Sequence, residues 1–206
     1  MTELKAVLFD LGGVILTSPF EAFSDYERRH GLPPGFIRRL NATNADDNAW
    51  ARLERNEVTF EQFCGLFEAE ARAAGHELDA LAVMGLLAGE IRPAMVTAVR
   101  RCRERLRTAA LTNNFTLPGG DRPMDEMREL FDVLIESSRV GFRKPDPRFY
   151  ELACTELGIV PEEAVFLDDL GVNLKPARAL GMTTIKVDDP ARAVAELEEV
   201  VGFPLR

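Results

Sequence analysis

Acidic, hydroxyl and amide side chains recur at one kind of place in this sequence, directly after short apolar runs. Val7-Leu8-Phe9 stops at Asp10, Ala109-Ala110-Leu111 at Thr112-Asn113-Asn114, Val133-Leu134-Ile135 at Glu136-Ser137-Ser138, and Val165-Phe166-Leu167 at Asp168-Asp169. Lys144 follows the third run, in Arg143-Lys144-Pro145. Carboxylates gathered from two such runs repel one another unless a cation sits between them. Oxygen ligands without histidine or thiolate suit Mg²⁺. A threonine hydroxyl and a lysine suit an anion with several oxygens, such as a phosphoryl group. Backbone N–H groups of Leu11 and Gly12, in the glycine-containing turn after Asp10, add further donors.

Singly, each residue has a plainer reading. A strand-end Asp can close a turn, Asp168-Asp169 or Thr112 can cap a helix, and a lone Lys144 is usually a solvated lysine. Joint placement decides, so the positioning elements matter. Runs this short, bounded by turn residues and rich in branched side chains, read as buried strands. Thr184-Ile185-Lys186-Val187 is a fifth, and the Asp188-Asp189 pair after it reads as a turn. Helical patterns alternate with them. One opens at Pro93 and carries Val96, Val99 and Leu106; one runs from Pro147 to Leu157 and stops at Gly158; one runs from Asn173 to Leu180 and stops at Gly181. Pro161-Glu162-Glu163 has room for a single turn. This alternation predicts an α/β fold, a Rossmann-like parallel sheet covered on both faces, with right-handed crossovers. In such sheets ligands bind beyond the carboxyl ends of the strands, where the polar residues fall.

One connection breaks the alternation. About ninety residues separate the first strand from the second, too many for one crossover. They read as helices over Phe20–Arg29, Pro34–Leu40, Thr59–Ala74 and Leu78–Leu87. Thr59 and Gln62 form a capping box, and Phe60, Phe63, Cys64, Phe67 and Ala71 line one face. The expected organisation is a core of residues 1–17 and 91–206 with a small all-helical cap, 18–90, inserted after strand one. Placed there, a cap excludes water and selects substrate. Trp50, Phe60, Phe63 and Phe67 read as cap core, and Arg52 and Arg139 as solvated.

Composition narrows the function class. A net charge of −9 over 206 residues argues against a nucleic-acid partner, which requires a basic footprint. An anionic substrate must then find positive charge locally, from a metal or a placed lysine. No run approaches the ~18 apolar residues of a membrane span, and Met1-Thr-Glu-Leu-Lys-Ala6 lacks a signal peptide's apolar segment. Cys64, Cys102 and Cys154 have no paired spacing and read as reduced, buried thiols, which fits a cytoplasmic protein. Neither His30 nor His76 lies near another ligand type.

These motifs, in this order and spacing, resemble those of the haloacid dehalogenase superfamily. Phe9-Asp-Leu-Gly-Gly-Val14 resembles its first motif, Leu111-Thr-Asn113 its second, Arg143-Lys-Pro145 its third and Phe166-Leu-Asp-Asp-Leu-Gly-Val-Asn-Leu174 its fourth. The resemblance implies a hydrolase with Mg²⁺ as cofactor and a helical cap after strand one. It implies Asp10 as nucleophile, forming an aspartyl-phosphate. Thr112 and Lys144 become phosphoryl binders with Asn113 beside them, and Asp169 a direct Mg²⁺ ligand. Asp168 and Asn173 hold metal-bound waters, and the Gly12 carbonyl is a further ligand. The implied partner is a small phosphorylated metabolite or a lipid phosphate.

Gly12 departs from the pattern. Phosphatases of the family usually carry Asp two residues after the nucleophile, where it protonates the leaving oxygen and then activates water. General acid–base help is worth about 10²–10⁴-fold in rate, so the chain is expected to favour good leaving groups and to hydrolyse its phospho-enzyme slowly unless Asn114, Glu136 or a cap residue substitutes. Two alternatives remain beside the phosphatase. A 2-haloacid dehalogenase lacks the second Asp too, but usually has Tyr in place of Gly12 and serine-like residues in place of Asp168-Asp169. A non-catalytic phosphate- or metabolite-binding regulatory module would keep the ligands and tolerate Gly12.

Overall fold

The computed structural model describes residues 3–116 and 127–206. Strands β1 (Ala6–Phe9), β2 (Arg107–Thr112), β3 (Val133–Glu136), β4 (Ala164–Asp168) and β5 (Thr183–Lys186) form one parallel sheet in the order β3-β2-β1-β4-β5. Strand side chains alternate between faces, and the two faces have separate cores. Val7, Phe9, Val165 and Leu167 pack with Met95 and Val99 of α6 (Pro93–Arg103) and Val194 and Leu197 of α10 (Pro190–Val201). Ala6, Leu8, Ala164 and Phe166 pack with Phe149 and Tyr150 of α8 (Pro147–Leu157) and Leu174 and Ala177 of α9 (Gly171–Ala179). A strand covered on both sides must be apolar throughout, which is why β1 reads Ala-Val-Leu-Phe.

Register then sets the site. Phe9 lies opposite both Ala110 and Leu167, so Asp10 follows at the level of Asp168, and Thr112 lies opposite Glu136.

Between β1 and β2 lie α1 (Phe20–Arg29), α2 (Phe36–Ala42), α3 (Ala49–Glu54), α4 (Phe60–Ala73) and α5 (Ala80–Gly85). They share a third core built on Phe23, Tyr26, Ile37, Leu53, Phe63 and Phe67. Trp50 meets Phe63 and Phe67 edge-on, with ring centroids 5.6 Å apart in each case. Phe63 and Phe67 are fully buried. Truncating such a ring costs about 3–5 kcal/mol, so these aromatics stabilise the helical unit. The capping box is present, Thr59 Oγ1 accepting from Gln62 N and Gln62 Oε1 from Thr59 N. The chain enters and leaves through a two-stranded neck: Thr17 N donates to Glu90 O, Arg92 N to Ile15 O, and Leu16 pairs with Ile91.

The differences from expectation are local. α2 begins at Phe36 because Gly35, in the left-handed region, sets its start. α9 begins at Gly171, two residues early, and α5 is shorter than expected. α6 ends at Arg103; Leu106 lies beyond it but packs on the same core. The sequence reading did not anticipate α3, α7 (Ser137–Val140) or α10. Asp189, given a turn role, caps α10 by accepting from Arg192 N.

Candidate active site

The residue after β1 opens the site. Leu16 N donates to Leu11 O at 2.8 Å, closing one wide turn over Leu11–Ile15. Within it Gly12 is extended (φ −68°, ψ 126°) and Gly13 left-handed (φ 78°). Asp10 Oδ1 accepts from Leu11 N at 2.7 Å and pairs with Lys144 Nζ at 2.8 Å. The Leu11 amide, expected to face substrate, is thus turned onto Asp10.

Lys144 Nζ also donates to Asp168 Oδ2 at 2.8 Å, so a lysine only 1% exposed is held between two carboxylates. Asp168 accepts two further donors, Leu170 N at 2.8 Å and Asn173 Nδ2 at 3.1 and 3.0 Å to its two oxygens. It closes the turn before α9, the role an isolated Asp there would have, and also anchors the lysine. The Asn173 carbonyl in turn accepts from Tyr150 OH at 2.7 Å. Asp169 completes the cluster: one oxygen from each of Asp10, Asp168 and Asp169 lies within 4.8 Å of the others.

The electrostatics follow from crowding and burial. Burial, then the Asp168 and Asp169 charges, push the Asp10 carboxyl up to about 8 against the pull of Lys144. Burial and Asp168 push Asp169 up to about 6, with Lys144 and Arg38 of α2 pulling it down. Burial alone would lower Lys144, but Asp10 and Asp168 outweigh it and raise its affinity for the proton. One ammonium against three carboxylates leaves a deficit of positive charge. A divalent cation with hard oxygen ligands fits that deficit.

Thr112 lies at the same edge, 6% exposed, and its hydroxyl has no hydrogen-bond partner among the described residues. Asn113 is placed differently from a substrate ligand: its Nδ2 donates to Lys144 O at 3.0 Å and its Oδ1 accepts from Lys144 N at 2.9 Å. Its amide clamps the lysine's backbone. Neither acid–base stand-in, Asn114 after β2 or Glu136 at the end of β3, is free. Glu136 accepts from Asn114 Nδ2 at 3.0 Å and pairs with Arg128 and with Arg139. Arg139 is exposed, as expected, and also pairs with Glu136.

Comparison with known proteins gives the family. The family model for haloacid dehalogenase-like hydrolases matches residues 4–181. The chain belongs to this family. It is 40% identical over 98% of its length to acyl-CoA dehydrogenase family member 10 of Mus musculus, spanning 19% of that protein. It is 30% identical over 90% of its length to phosphatase MT3486 of Mycobacterium tuberculosis, spanning 88% of it. A family enzyme of Bacteroides thetaiotaomicron, crystallised with magnesium and inorganic phosphate, shares the fold at a TM-score of 0.62 and 18% identity, covering 92% of this chain and 98% of that one. Residues 4–181 thus form a haloacid dehalogenase-like hydrolase domain, and a phosphatase is among the relatives of the chain. Among the described residues, no helix is long and apolar enough to cross a membrane.

Three features of this family member escaped the sequence reading: Gly13, Tyr150 and a Glu54–Arg143 ion pair. Gly13 is required twice over, by its positive φ and because a Cβ there would lie 2.3 Å from Asp169 Oδ2. A Cβ at Gly12 would meet nothing within 4 Å. Gly13→Ala is therefore expected to cost at least about 1–2 kcal/mol from the left-handed backbone alone and to displace Asp169. Gly12→Ala should stay within about 0.5 kcal/mol of wild type. Urea unfolding of the two variants checks the contrast, and equal stabilities would contradict it.

Proposed function

We propose that the protein is a Mg²⁺-dependent phosphatase acting on a small phosphomonoester, of a phosphorylated metabolite or a lipid phosphate, through an aspartyl-phosphate on Asp10. The observation that carries this reading is the cluster of Asp10, Asp168 and the half-buried Asp169, with Lys144 buried between the first two. The phosphatase relative and the magnesium- and phosphate-bound neighbour support it. In this reading residues 1–17 and 91–206 are the catalytic core, and 18–90 a cap that selects substrate.

Asp10, Asp169 and the Gly12 carbonyl would hold Mg²⁺ directly, with Asp168 and Asn173 ordering the groups around it. Bound there, the ion neutralises charge on the carboxylates and on the phosphoryl oxygens. Thr112 donates to one phosphoryl oxygen and Lys144 to another. An Asp10 oxygen attacks phosphorus, and the bond to the leaving oxygen breaks with its electron pair going to that oxygen. Gly12 carries no proton for it, so the leaving group takes one from water. Water then attacks the aspartyl-phosphate, releasing phosphate and restoring Asp10. Activity is accordingly modest, and greatest on esters with good leaving groups.

The test is a panel of phosphomonoesters and 2-chloropropionate, each with and without Mg²⁺. The expected outcome is phosphate release only with Mg²⁺ and no halide release. Halide release without metal would replace the reading by the dehalogenase. The retained acidic pair speaks against that alternative, because attack on carbon gives Asp169 no cation to hold. Asp169→Asn is expected to weaken the Mg²⁺ requirement's midpoint by about 10-fold or more while leaving the fold intact, measured by Mg²⁺ titration of phosphate release.

Metal binding carries its own pH signature. Carboxyls raised to about 8 (Asp10) and about 6 (Asp169) favour their protonated forms in the metal-free fold. The stability they contribute is present at acidic pH and is lost as pH rises through 6 and then 8. Mg²⁺ binds the ionised forms and opposes that loss. The rise in Tm on adding MgCl₂ should therefore be small below about 6 and largest above about 8. A Mg²⁺ shift independent of pH would contradict the assignment.

A further inference from the structure

The segment carrying Lys144 is irregular. α7 ends at Val140, α8 begins at Pro147, and no strand or helix spans the residues between. The position of the lysine is set by side chains instead. Asn113 grips its peptide from the core side. From the other side, Arg143 reaches across to the helical unit: Nη1 donates to Glu54 Oε2 at 2.5 Å and Nη2 to Ala45 O at 2.6 Å. Glu54 Oε1 accepts from Trp50 Nε1 at 3.0 Å, and Trp50 is wedged against Phe63 and Phe67. Both partners are largely buried, their side chains 17% and 10% exposed. An unbroken line of contacts thus runs from the aromatic core of residues 18–90 to the backbone of Lys144.

We propose that Glu54 and Arg143 are positioning residues, which hold the Lys144 segment against the helical unit and so set the placement of the ammonium between Asp10 and Asp168. The proposal rests on Lys144 acting as a phosphoryl ligand. The pair does more than attach one unit to the other, for two reasons. Arg143 is bonded directly to Lys144, so a shift of its backbone is a shift of the lysine's. Glu54 is also close enough to feel Lys144: burial pushes its carboxyl up, and Arg143, Trp50 and Lys144 pull it down. A forked guanidinium makes both cross-contacts at once, which a lysine in its place would not.

The experiment compares Glu54→Gln, Arg143→Met and the double variant Glu54→Leu/Arg143→Met. Breaking one partner leaves a buried charge, whereas replacing both by apolar side chains of similar size restores stability. On p-nitrophenyl phosphate with Mg²⁺, each single variant is expected to lose about 10–100-fold in kcat, with little change in KM. The double variant should recover the wild-type Tm but keep the kcat loss. Recovery of kcat together with Tm would show a purely structural pair and overturn the proposal, as would undiminished kcat in the single variants. Amide exchange supplies a readout independent of turnover: Arg143→Met should accelerate exchange over 141–146 but not in α4, and no local change overturns the positioning role. Failure of the wild type to release phosphate would instead refute the phosphatase reading, leaving exchange to judge the pair.

Discussion

Asp10→Asn is expected to lower Mg²⁺-dependent phosphate release by about 10³-fold or more, because an amide oxygen neither attacks phosphorus nor carries charge toward a cation. The structure also predicts what happens to the fold. Asn is isosteric, and its carbonyl oxygen can still accept from Leu11 N, which Asp10 Oδ1 does at 2.7 Å. Lys144 keeps Asp168 as its partner at 2.8 Å. The wild-type carboxyl is pushed up to about 8 by burial and by its acidic neighbours, so ionising it costs stability in the absence of metal. Metal-free Asp10→Asn should therefore melt at or above the wild-type temperature, most clearly above about pH 8. Loss of activity with a retained or raised Tm separates a missing nucleophile from a damaged site.

Gly12→Asp is expected to act in the opposite direction. Gly12 has φ −68° and ψ 126°, a conformation open to any residue, and a Cβ there meets nothing within 4 Å. The position is exposed. Adding a carboxyl costs the fold little and supplies the proton that the leaving oxygen lacks. General acid–base help of this kind is worth about 10²–10⁴-fold; an unoptimised carboxyl should give a gain near the lower end. The gain should be larger for alkyl phosphates, which need the proton, than for p-nitrophenyl phosphate, which does not. Two internal substitutes are already engaged: Asn114 bonds Glu136, and Glu136 is paired to Arg128 and Arg139. An unchanged rate on alkyl phosphates would mean that another group already delivers the proton.

Much of the site was legible in the sequence for a geometric reason. Parallel strands in register end together, so polar residues after Phe9, Leu111 and Leu167 had to meet at one edge. The residue types then pointed to a cation and an oxyanion. What was not legible depends on tertiary contact. Glu54 and Arg143 are 89 residues apart, and their meeting depends on how α3 packs. α3 has six residues and follows a run of Asn and Asp that reads as loop; its one local signal is Asn48, whose Oδ1 accepts from Ala51 N at 2.8 Å. Asn113 looked like a phosphoryl neighbour, and no spacing shows that its amide is spent on the Lys144 backbone. α10 did carry signals, with Asp189 as cap and Pro190 in the first turn, but Asp189 belongs to an acidic pair read as a turn.

Gly12 sharpens the central claim. A nucleophile without an acid–base partner should form its covalent intermediate more readily than it clears it. The direct test is to mix the protein with p-nitrophenyl phosphate and Mg²⁺, quench in acid within the first turnovers, and map the modified peptide by mass spectrometry. The expected result is one phosphoryl group on Asp10, abundant in the wild type, depleted in Gly12→Asp and absent from Asp10→Asn. Phosphate release by Asp10→Asn at the wild-type rate, with no modified peptide in either protein, would contradict the account.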